Sequence, residues 1–115
     1  MAGALKEINI KYDMPVVDEA IRRIALHIKD GKSSGIAAIK IIHGYGSTGK
    51  GGKIRIAARQ YLESQKSKNL IRDYIAGEDF SIFNEATRRA FLLCDGLRCD
   101  HDLDHYNNGI TIIIL

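Results

Sequence analysis

Proline occurs once in the 115 residues and cysteine twice, and no apolar run approaches the roughly 18 residues that a membrane span requires. Scarce proline, together with 45% apolar and 27% charged residues, excludes a disordered chain and leaves no segment that reads as a linker. A chain of this length buries roughly two-thirds of its unfolded surface, so a single domain over residues 1–115 is expected without disulfide staples. The opening residues, MAGALKEINI, lack a basic region followed by an apolar stretch. Cys94 and Cys99 are therefore expected as reduced thiols, and the protein as cytoplasmic and not membrane-bound.

What is abundant is unevenly placed. Nine Lys/Arg against Asp30 and Glu63 fall between residues 29 and 68, whereas residues 78–108 hold seven acids against Arg88, Arg89 and Arg98. Glycine is clustered too: Gly44, Gly46, Gly49, Gly51 and Gly52 are five of the eleven. Ordering glycine is entropically unfavourable, so such a cluster points to a place where side chains would obstruct a turn, a neighbouring backbone or a ligand.

The periodicity gives the frame. EINIKY alternates Ile8 and Ile10 with polar neighbours and reads as a strand. Val17, Ala20, Ile21, Ile24, Ala25 and Ile28 recur at helical spacing, with Asp18 and Glu19 at the start and Gly31 as the expected stop. GIAAIKIIHG is apolar enough for a strand buried on both faces. Ile54, Ala58, Tyr61 and Leu62 define a second helix, with Arg55, Arg59 and Lys66 along one flank. NLIRDYIAG reads as a third strand, Phe83, Ala86, Ala90 and Leu93 as the stripe of a third helix, and GITIIIL as the last strand after an NNG turn. The order β-α-β-α-β-α-β predicts an α/β two-layer sandwich with a mixed sheet.

A strand, a glycine-rich segment and a helix start make an anion site, because backbone N–H groups and the helix dipole converge there. Lys50 and Lys53 would add charge. Gly44-x-x-x-x-Gly49-Lys50 fits seven positions of a P-loop, but Gly51 stands where the motif needs the hydroxyl that ligates magnesium. A site for a nucleotide or another small phosphorylated ligand stays open as an alternative. So does a non-catalytic interaction domain whose charged faces pair between copies as a homo-oligomer.

The run IKIIHGYGSTGKGGKIRIAARQYLES, a strand, a His-Gly-x-Gly segment and a helix, resembles the second signature of the Smr (small MutS-related) domain family. NNGITIIIL resembles that family's last turn and strand, with residues 78–108 as an inserted helix and acidic loop. The resemblance implies a fold like the C-terminal domain of translation initiation factor three. It also implies DNA or RNA binding, with nicking or cleavage in some members and a divalent metal if this chain is a nuclease; no other cofactor is indicated. His43, Gly44, Gly46 and Gly49 match the signature. The family's first signature, Leu-Asp-x-His, corresponds to Ile8-Asn9-Ile10-Lys11, where a carboxylate and an imidazole are both replaced. That departure weakens the case for cleavage more than the case for binding, since Lys11 still suits phosphate.

The candidate nucleic-acid residues are thus Lys11, Gly44, Tyr45, Gly46, Ser47, Gly49, Lys50, Lys53, Arg55 and Arg59, with Tyr45 able to stack on a base. His43 is the candidate acid or base, or else the imidazole that orders the glycine segment. Cys94, Cys99, His101 and His105 are zinc-ligand types at a spacing too tight for a zinc finger. Asp100, Asp102 and Asp104 imitate a calcium loop whose required glycine and terminal glutamate are His105 and Thr111. A solvated acidic loop is the expectation for this stretch.

Overall fold

The computed structural model describes residues 3–10, 16–44 and 50–115. Along the chain run β1 (Ala4–Asn9), α1 (Val17–Ser33), β2 (Ile36–Ile42), α2 (Lys50–Ser67), β3 (Asp73–Ala76), α3 (Glu85–Leu93) and β4 (Ile110–Ile114). The four strands form one sheet in the order β1-β2-β4-β3. β1 lies parallel to β2, while β4 is antiparallel to both β2 and β3, so the fold is α/β with a mixed sheet. No helix among the described residues is long and apolar enough to cross a membrane.

Two separate apolar cores explain the continuous apolar strands. Ile39, Ile41 and Ile113 point to one face, where Ala20, Ile24 and Ile28 of α1 and Ile54, Ala58 and Leu62 of α2 cover them. Ala38, Ile110, Ile112 and Ile114 point to the other, where Phe80, Ala90, Phe91 and Leu97 pack. Side chains alternate across a strand, so β2 and β4 must be apolar at consecutive positions when both faces are covered. Residues 78–108 supply that second cover through α3 and a 3-10 turn at Asp95–Cys99. The sheet is therefore the middle of three layers, one more than the two-layer sandwich expected from the sequence.

Two helix boundaries also differ from the sequence reading, each for a local reason. α1 continues through Gly31 to Ser33, and Gly35 takes the left-handed φ of 75° beyond its end. Gly31 serves close packing instead: a Cβ there would meet Leu115 Cδ1 at 2.8 Å. α3 starts at Glu85 because Asn84 caps it, its side-chain oxygen accepting from Thr87 N–H at 2.9 Å. Phe83 consequently precedes the helix and is exposed, as is Leu93, and the inward face is Thr87, Ala90 and Phe91.

Candidate nucleic-acid interface

The parallel pairing of β1 and β2 decides where the candidate residues gather. Asn9 lies opposite Ile42, and Ile10 N–H donates to Ile42 C=O at 3.0 Å, so the segments following both strands leave the same end of the sheet. β4 begins at this end. The N–H groups of His43 and Gly44 both donate to the Gly109 carbonyl at 3.0 Å, pinning the start of the glycine segment to the turn before β4. Gly44 has φ 80°, a conformation that favours glycine. Lys11, Tyr45, Gly46, Ser47 and Gly49 lie outside the described residues.

α2 opens directly from the glycine segment. Its first turn carries no acid, whereas α1 has Asp18 and Glu19 there and α3 has its Asn84 cap and Glu85. The partial positive charge at the start of α2 is thus not compensated by acids of its own first turn. Lys53 is exposed and Arg55 half-buried on this turn and the next.

His43 and Arg59, both candidate site residues, are turned inward. The His43 side chain is 0% exposed. Its Nδ1 lies 2.7 Å from the Gly44 carbonyl, which can only accept, so Nδ1 carries the proton. Nε2, 2.8 Å from Thr111 Oγ1, then accepts the threonine hydroxyl. Burial lowers the imidazole pKa to about 4; the Gly44 bond opposes this, and the Arg59 and Arg55 charges reinforce it. Arg59 Nε donates to the same Thr111 Oγ1 at 3.2 Å, and its Nη1 and Nη2 form a fork on Glu78 at 2.9 and 2.8 Å. Nη2 also reaches the Ile110 carbonyl at 3.2 Å. Burial pushes the Glu78 carboxyl up, but the Arg59 hydrogen bonds and charge outweigh it and hold it below the usual range. Of the two roles open to His43 in the sequence, this geometry matches the ordering of the glycine segment. Arg59 braces the turn beneath it.

The acidic stretch is not a free solvated loop. Lys40, 1% exposed in the middle of β2, donates to both carboxylate oxygens of Asp100 at 2.9 and 3.1 Å and contacts Asp102 at 2.5 Å. Burial works against the ammonium, but its hydrogen bonds to Asp102 and Asp100 and their charges outweigh it and raise its pKa. Asp102 also accepts from Asn107 Nδ2 at 2.9 Å. Lys66 pairs with Asp73 at 3.1 Å. Lys40, Arg59 and Lys66, three of the cations counted around the glycine segment, are therefore neutralised by acids between residues 73 and 102. Among the described residues the cluster that brings metal-ligand types together is Asp100, His101 and Asp102, and the Lys40 ammonium sits on two of its carboxylates. Cys94 is buried, Cys99 is exposed, and neither joins it, nor does His105.

Sequence reasoning passed over Thr111, Glu78, and the clamp on Lys40. The signal was available: Lys40 interrupts IAAIKII and Thr111 interrupts ITIII, and a polar residue inside a strand covered on both faces demands a partner. Comparison with protein-family models, with curated proteins and with solved structures finds no match for this chain.

Proposed function

We propose that this domain binds the phosphates of nucleic acid at the sheet end where β1 and β2 finish, in the manner its Smr-like segment implies. The observation that carries the reading is the start of α2: a helix with no acid in its first turn, opening from a glycine run, with Lys53 exposed and Arg55 beside it. Lys11 and Lys50 are further candidates by sequence position. The pinning of Gly44 to Gly109 and the buried His43 ring support a preorganised frame for that segment, which favours binding over cleavage by His43. Among the described residues no arrangement that reads base edges accompanies it, so the binding is expected to follow charge and shape with little sequence preference.

The test is a titration of labelled DNA and RNA oligomers across a series of salt concentrations. With about three phosphates neutralised, log K should fall against log salt with a slope of roughly −2 to −3. Lys53→Glu combined with Arg55→Glu should weaken binding about tenfold or more and flatten that slope. A slope near zero, or no binding at low salt, overturns the reading.

A further inference from the structure

Large exposed aromatic side chains sit at the same sheet end and take no part in either core. Phe83 is 83% exposed, Tyr106 72% and Ile82 46%. Two hydrogen bonds join the turns that carry them. Ile82 N–H donates to Asp104 Oδ1 at 3.1 Å and Asp104 N–H to the Phe80 carbonyl at 2.9 Å, tying the turn before α3 to the turn that carries Tyr106. Tyr106 in turn is three residues from Gly109, whose carbonyl holds the Gly44 amide at 3.0 Å. Three residues span at most about 11 Å, so Tyr106 stands within that reach of the turn to which the glycine segment is pinned.

The backbone at Tyr106 adds a second observation. Its φ is 54°, in the left-handed region that bulky side chains avoid. The neighbouring chain fixes that conformation: the Asn107 carbonyl lies so close to Gly77 that a Cβ there would approach it to 1.8 Å, and Asn107 Oδ1 accepts from Gly109 N–H at 2.9 Å. A strained tyrosine held out into solvent gains nothing for the core, and strain of this kind gathers where a side chain must be presented.

We infer that Tyr106 and Phe83 form a stacking platform for unpaired bases, so that the ligand is single-stranded nucleic acid in preference to duplex. The inference rests on the phosphate-binding reading above. Aromatic faces beside a cationic track are the arrangement that holds single strands, since every base offers a face to stack and duplex bases do not. Exposed Asp79 precedes the turn that carries Phe83 and exposed Glu85 follows it, and Arg88 Nη1 donates to the Ile82 carbonyl at 2.9 Å.

The experiment compares a labelled thymidine oligomer with a labelled hairpin duplex by fluorescence anisotropy, for the parent and for Tyr106→Ala, Phe83→Ala and Tyr106→Phe. The parent should bind the single strand more tightly. Each alanine variant should lose roughly fivefold or more on the single strand and leave duplex affinity unchanged, while Tyr106→Phe retains it. Circular dichroism and the thermal midpoint check that the exposed substitutions leave the fold intact. Equal affinity for both ligands, unmoved by the alanine variants, overturns the stacking platform and leaves the phosphate site standing. Failure of the parent to bind either ligand overturns both.

Discussion

At the scale of single residues, His43 is where sequence and structure part most usefully. The sequence offers an imidazole beside a glycine segment, which suits either acid–base chemistry or local ordering. Burial decides, because it removes the charged form and leaves both nitrogens partnered, by the Gly44 carbonyl and the Thr111 hydroxyl. The linkage has a definite sign. The folded pKa of about 4 lies below the ordinary 6.5, so between those values the unfolded chain binds the extra proton and stability falls as pH falls. The full window corresponds to about 3 kcal/mol. Urea denaturation at a series of pH values should show this slope in the parent and its loss in His43→Gln. Glu78 and Asp102, both held below their usual range, add their own loss of stability at lower pH, so the variant should still destabilise there. An unchanged slope between about pH 6 and 5 in the variant would remove His43 as its source.

At the scale of elements, the sheet shows what patterning can and cannot reveal. The consecutive apolar residues of β2 read correctly as a strand buried on both faces, because that pattern has few other physical origins, and β4, read from its β-branched residues as a strand, is covered on both faces as well. The boundaries of α1 and α3 were less legible, since Gly31 reports a neighbour, Leu115, that only the tertiary fold brings near, and Phe83 follows helical spacing without being in the helix. The segment after α3 was the least legible, because its anchor is a lysine inside an apolar strand 60 residues earlier. That anchor can be tested. Asp102→Ala removes one of two carboxylates from a buried ammonium that keeps Asp100, and should cost about 1.5–3 kcal/mol in denaturant unfolding. Lys40→Met, which fills similar space without charge, should be tolerated better than Lys40→Ala; since both remove the ammonium, equal losses would mean that the ion cluster, and not its volume, holds the segment to the sheet.

At the scale of the whole molecule, part of the charge asymmetry of the sequence turns out to be internal. Lys40 with Asp100 and Asp102, and Arg59 with Glu78, join the basic stretch to the acidic one across the fold, and Lys66 pairs with Asp73. The sequence shows the two blocks of charge but not their mutual contact, which depends on β4 lying between β2 and β3. What remains for a polyanion is the smaller set around the start of α2, so the two classes of cation should separate in one experiment. Partly buried pairs are screened weakly by salt and exposed cations strongly. Raising salt should therefore release a bound oligonucleotide while moving the thermal midpoint little. Arg59→Gln should lower the midpoint, because it removes the fork on Glu78 and the guanidinium bond to Thr111 Oγ1, and leave the salt slope of binding unchanged. Lys53→Gln should do the opposite, leaving the midpoint in place and making the slope shallower by roughly one unit. If Arg59→Gln instead flattens the slope without destabilising the fold, its guanidinium serves the ligand, and the division into bracing and binding cations is wrong.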